Sequence, residues 1–145
     1  MKFSSLVVPV VLAALAAADT LHYDNIYDDG SQSLDVVACS NGANGLETLG
    51  YTDFQSLPTF PYIGAFGAVL GWNSAECGSC WKIAYTNAAG KTTRIHALAV
   101  DHAGEGLINL SQEAMDKLTD GHAVEFGAVQ VTATQVAKSA CGIKK

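Results

Sequence analysis

The chain has 145 residues and sets 8 Lys/Arg against 14 Asp/Glu, a formal charge of −6 at neutral pH. That balance argues against nucleic acid and anionic membranes as partners, since both require a positive surface. Length and a 49% hydrophobic content suit one domain with a true core.

Residues 1–18 read as a secretory signal. Lys2 gives a positive start, Leu6 to Leu15 is an apolar run broken by Pro9, and Ala16-Ala17-Ala18 suits cleavage before Asp19. A membrane anchor needs about 20 apolar residues, and this run falls short. Residues 19–145 then form a single domain of 127 residues, with 7 basic against 14 acidic side chains. The expected product is secreted and extracellular, with the cell wall as a place to associate.

Asn41-Gly42-Ala43-Asn44-Gly45 is a turn cluster, because Gly and Asn tolerate positive φ. Leu57-Pro58-Thr59-Phe60-Pro61-Tyr62 cannot be a central strand, since two prolines remove ladder donors. Lys82–Thr86 and Thr92–Val100 are strand-like, joined by a hairpin turn at Asn87-Ala88-Ala89-Gly90-Lys91. Ala97-Leu98-Ala99-Val100 lacks polar alternation and is predicted to be buried on both faces. A short helix is expected over Gln112–Thr119, capped by Ser111, with Glu113 in its first turn and Gly121 past its end. Ala114, Met115 and Leu118 share its apolar side. Val129–Thr134 alternates as a strand. The total is a mainly β domain with one or two short helices, either barrel or sandwich.

Four cysteines behind an export signal point to two disulfides. Of three possible pairings, a Cys77–Cys80 bridge would spend both residues on a tiny loop. The favoured reading lets each clamp a distant segment, Cys39–Cys77 and Cys80–Cys141. Each bridge would close a long loop, worth about 3–4 kcal/mol in the chain-entropy model. A thioredoxin-like reading of C-x-x-C lacks its βαβ context, and a zinc site lacks a second ligand pair.

Several fragments occur in a specific order. They are Tyr23-Asp24-Asn25-Ile26-Tyr27-Asp28, Val37-Ala38-Cys39-Ser40-Asn41-Gly42, Gly45-Leu46, and Leu57-Pro58-Thr59-Phe60-Pro61. Gly71-Trp72-Asn73-Ser74-Ala75, Cys77-Gly78-Ser79-Cys80-Trp81 and Ala99-Val100-Asp101 follow. From about Asp19 to Cys141 the chain resembles the cerato-platanins, small secreted fungal proteins. The resemblance implies a six-stranded double-ψ β-barrel, akin to the first domain of expansins and to some endoglucanases. It implies the two favoured disulfides. It also implies non-catalytic binding of chitin oligomers, expansin-like loosening of cellulosic material, and elicitation of host defence, with a host immune receptor as a further partner. One stretch departs from the family. After Asp101 the family usually runs Gly, Phe, Asn and an aliphatic residue. This chain reads Gly106-Leu107-Ile108-Asn109-Leu110, with one residue more and no aromatic ring.

The resemblance makes Asp101 the leading binding residue, a carboxylate at a strand end able to accept from sugar hydroxyls or amides. Asn109, Tyr23 and Asp24 are candidates for the same groove, and Asn41 and Asn44, in a nearby turn, are candidates to bond a glycan. The plainer alternatives are a turn-capping Asp101, edge-strand packing for Tyr23 and Asp24, and turn chemistry for the asparagines. Trp81, beside a cysteine, is expected in the core, and Trp72 is expected to be partly exposed. The four scattered histidines offer no metal-ligand spacing, so neither metal nor cofactor is expected. His102 adjoins Asp101, but neighbours on a strand face opposite ways. Asn109-Leu110-Ser111 is a glycosylation sequon whose glycan would crowd the groove. Hydrolysis would need a second carboxylate, for which Asp24 is the candidate. The leading alternatives to a binder are therefore a glycan-cleaving enzyme using Asp101, and a surface-active elicitor with no glycan role.

Overall fold

A computed structural model describes residues 17–144; all but the last two residues of the expected signal lie outside the described residues. Six strands run β1 (Asp19–Tyr23), β2 (Ile63–Phe66), β3 (Cys80–Thr86), β4 (Thr92–His102), β5 (Leu107–Leu110) and β6 (Ala128–Val136). Two helices, α1 (Gln112–Thr119) and α2 (Ala123–Phe126), lie between β5 and β6. The strands close in the order β1-β5-β2-β4-β3-β6. The pairs β1/β5 and β2/β4 are parallel and the other four antiparallel. This is the six-stranded double-ψ barrel, so the barrel-or-sandwich alternative resolves to a barrel.

The last strand forms where alternation is clean. On β6, Val131 is buried while Thr132 and Thr134 are exposed. Ala97 to Val100 are all buried, as the missing alternation predicts. The strands β2 and β5 were not read from the sequence. Each has four residues, too short for a period to register, and β2 is buried on both faces. Long-range pairing makes them strands. Gly64 permits that pairing, because a Cβ there would stand 2.0 Å from the Asn109 carbonyl oxygen.

The helix α1 starts where Ser111 Oγ accepts from Ala114 N at 3.0 Å. A distant residue joins the cap. The Asp28 carboxylate accepts from Gln112 N at 2.8 Å and Glu113 N at 3.0 Å. A carboxylate at a helix N-terminus meets free N–H groups and the positive end of the dipole. Ala114, Met115 and Leu118 are buried, as the apolar side predicted.

Residues 24–62 form a cover built from four short 3-10 turns, Asn25–Asp28, Leu34–Val36, Glu47–Leu49 and Phe54–Ser56. Tyr27, Leu34 and Phe54 from this cover join one buried cluster with Ala65 and Ile63 of β2. The disulfides are Cys39–Cys77 and Cys80–Cys141, as favoured from the sequence. The first ties the cover to the segment before β3. The second ties the Lys138–Cys141 turn to β3 itself.

Candidate functional site

The barrel register sets Asp101 of β4 beside Ala65 of β2, Ala65 beside Asn109 of β5, and Asn109 beside His22 of β1. Residues paired in register point to the same face, so Asp101, Ala65, Asn109 and His22 form one row. A bulge makes this row possible. Pairing passes from Gly64–Ala99 to Ala65–Asp101, leaving Val100 as the extra residue. Asp101 and Asn109 stand two strands apart, about 10 Å by strand spacing.

Asp101 is half-buried and its carboxylate is held on three sides. Oδ1 accepts from Ala38 N at 2.9 Å and from His102 N at 2.8 Å. Oδ2 accepts from the Tyr27 hydroxyl at 3.0 Å. An ionised carboxylate offers about four acceptor positions, so one on Oδ2 stays open to a ligand. The backbone-capping alternative raised above is thus a large part of what Asp101 does. Side-chain orientation follows, because three donors leave the carboxylate little freedom to turn.

Tyr27 was not singled out as a site residue. It is buried, and its segment crosses β2: Asp24 N donates to Leu110 O of β5 at 2.8 Å, while the phenol reaches Asp101 on β4. Asp101 and Asn109 therefore share a row but have the cover between them, with Ala65 only 1% exposed. The half-buried Asp101 carboxylate stands at the rim of this cover. Burial first, then the nearby Asp101 and Asp24 charges, hold the Tyr27 phenol far above its usual range. It stays a hydrogen-bond donor at any physiological pH. The available signal was position: Tyr27 lies in the same fragment as Tyr23 and Asp24.

The other candidates separate. Asp24 caps the first turn, its Oδ1 accepting from Ile26 N at 3.0 Å, and its charge acts on Tyr27. Tyr23 pairs with Leu110, alternates with His22, and packs on the core, so it lies off the row. Asn41 and Asn44 bond to the 72–73 loop. Asn41 Oδ1 accepts from Trp72 Nε1 at 2.7 Å, and Asn44 Nδ2 donates to Asn73 O at 3.0 Å. Neither shares a hydrogen bond with Asp101 among the described residues. Trp72 is 64% exposed, as the loop predicted. Trp81 is half-buried and stacked on Phe66, with ring centroids 5.6 Å apart. His102 is exposed, its ring turned to Val69 O. No group of three or more potential metal ligands occurs among the described residues.

A barrel of this topology, with its loop cover bridged to it by a disulfide and a pinned aspartate at the end of β4, defines a class. The family model for cerato-platanin matches residues 20–143. A heat-stable 19 kDa antigen of Coccidioides immitis is 42% identical over 130 residues, 90% of this chain and 85% of the relative. The crystal structure of cerato-platanin 2 from M. perniciosa superposes with a TM-score of 0.82 at 48% identity, covering 87% of this chain and 99% of that one. The solution structure of the fungal elicitor cerato-platanin superposes with a TM-score of 0.68 at 36% identity, covering 84% and 95%. The chain belongs to the cerato-platanin family.

Proposed function

We propose that this chain is a secreted, non-catalytic polysaccharide-binding protein. Its ligands are chitin oligomers, with cellulose as a second surface, and it acts as an elicitor of host defence through an immune receptor. The observation that carries the binding reading is the Asp101 carboxylate. It is oriented by three donors and keeps one acceptor position open at the rim. A pre-oriented acceptor gains a sugar hydroxyl or acetamide N–H at low entropic cost. Contacts of this kind compete with chain-to-chain hydrogen bonds in packed polysaccharide, so loosening needs no covalent step.

A non-catalytic reading is favoured by the row itself. Glycoside cleavage needs two carboxylates within about 5–10 Å of each other, and the row holds one: its other polar members are the amide of Asn109 and the imidazole of His22. Asp24, the other candidate, spends one oxygen on its own turn. The elicitor reading rests on family membership and on relatives described as an antigen and a fungal elicitor.

The test is an NMR titration with N-acetylglucosamine oligomers of increasing length. Shifts at Asp101, Asn109 and Tyr27 that grow with length, and weaken about tenfold or more in Asp101→Ala, are expected. Flat spectra at every length would overturn the glycan reading. Steady release of reducing ends from chitin or cellulose, lost in Asp101→Asn, would make the protein an enzyme instead.

A further inference from the structure

Charge in this molecule is sorted along the chain and then gathered by the barrel. Residues 77–100 and 126–145 contain no Asp or Glu and hold Lys82, Lys91, Arg94, Lys138, Lys144 and Lys145. The rest of the expected mature chain holds all 14 acids and one base, Lys117. The acid-free segments contain β3, β6 and all of β4 up to Val100, three strands adjacent in the barrel. Register then brings two of these cations, Lys82 and Arg94, onto neighbouring rows. Lys82 pairs with His96 on one side and Thr134 on the other, and the next row sets Ala84 between Arg94 and Thr132. These six share the outward face, since Ile83 and Ile95 between them are buried. Arg94, His96, Thr132 and Thr134 are exposed, and Lys82 and Ala84 are half-buried. Neither Lys82 nor Arg94 has an acidic partner within 4.0 Å among the described residues.

We propose that this bare β3–β4–β6 face is a docking surface for a carboxylated polysaccharide, a polyuronate chain. It is distinct from the Asp101 rim and does not depend on it. Cations on β3 and β4 and hydroxyls on β6 share that face at sheet spacing, about 4.8 Å across strands and about 6.8 Å along them. A polyuronate presents single negative charges separated by neutral hydroxylated carbon, which complements that spacing. Arg94 suits a carboxylate through its planar fork, and Lys82 through a point charge. The threonines accept and donate to sugar hydroxyls. A nucleic-acid duplex is the poorer occupant, because its dense phosphates would meet few cations on a molecule that is acidic everywhere else.

The experiment passes the folded, disulfide-bonded protein over immobilised polygalacturonate at low and moderate salt. Parallel arms carry the fully methyl-esterified polymer, double-stranded DNA, and vesicles rich in phosphatidylserine. Retention is expected on polygalacturonate alone, falling as salt screens the charges. The pair Lys82→Glu/Arg94→Glu is expected to weaken it at least about tenfold. The gentler pair Lys82→Gln/Arg94→Gln should weaken it in part, and serves should charge reversal unfold the chain. Both pairs should keep the shifts with N-acetylglucosamine oligomers, which separates this surface from the rim. No retention at low salt overturns the proposal. So does equal retention on the esterified polymer, DNA or vesicles, or binding that survives in both folded variants.

Discussion

Two walls of one barrel differ in what covers them. Over β2 and the end of β4 lies the segment 24–62, and both faces of β2 are buried. Among the described residues nothing comparable lies over β3 and β6, and outward residues such as Thr132 and Thr134 meet water. The covered wall can carry a polar group only if the cover satisfies it, and Ala38 N and the Tyr27 hydroxyl do this for Asp101. The bare wall needs no such partners and can carry free cations. A pre-oriented single acceptor and a loose array of charges are therefore two kinds of surface that one fold supports.

The largest test of this contrast is disulfide removal. Chain separations of 38 and 61 residues give each bridge about 4 kcal/mol in the chain-entropy model, so guanidinium melts should show similar losses. Their effects on the rim should differ. Cys39→Ala/Cys77→Ala frees the segment carrying Ala38 and should abolish oligomer shifts at Asp101. Cys80→Ala/Cys141→Ala should leave those shifts in the fraction that remains folded. Equal loss in both would erase the distinction between the walls.

Next comes Gly64→Ala. Its Cβ would meet the Asn109 carbonyl at 2.0 Å between β2 and β5, and backbone cannot yield cheaply. A cost of about 3 kcal/mol or more is expected by thermal melting. Gly90→Ala, in the open hairpin turn at φ 82°, has free space and should cost about 1 kcal/mol.

The smallest change is Tyr27→Phe, expected to cost about 1 kcal/mol through one lost hydrogen bond. It should also weaken oligomer binding by freeing the Asp101 carboxylate. The pH dependence has a definite sign. Folding raises the Tyr27 pKa, so the unfolded state releases its proton first as pH rises. The stabilisation is complete below the unfolded value of about 10 and is lost progressively above it. Wild type should lose stability in that alkaline range more steeply than Tyr27→Phe. Parallel stability curves for the two proteins would contradict this.

Legibility in the sequence followed the same division. The last strand, β6, announced itself by alternation, the β3–β4 hairpin by its turn between strand-like runs, and α1 by its cap and apolar side. Doubly buried β2 and short β5 gave no period and went unread. At the site, Asp101 and Asn109 were named from the family resemblance, and the barrel sets them in one row. Tyr27 was missed because its role depends on a partner 74 residues away. Asn41 and Asn44 were named as candidates to bond a glycan, with turn chemistry as the alternative; the structure shows the turn, bonded to Asn73 and Trp72. Linear spacing cannot show that strand pairing sets Lys82 beside His96 and Arg94 one row on.

By itself the sequence determined the local chemistry: where the chain turns, which strands face water, how α1 starts, and which family the ordered fragments resemble. These depend on neighbours within a few residues, whose sterics and polarity act in any context. Tertiary structure alone decided which distant groups meet. It carried Asp28 to the start of α1, laid Tyr27 across β2 onto Asp101, and drew three separated bases onto one wall. Closing a barrel sets register between strands far apart in the chain, and register is a property of pairs that no single stretch of residues contains.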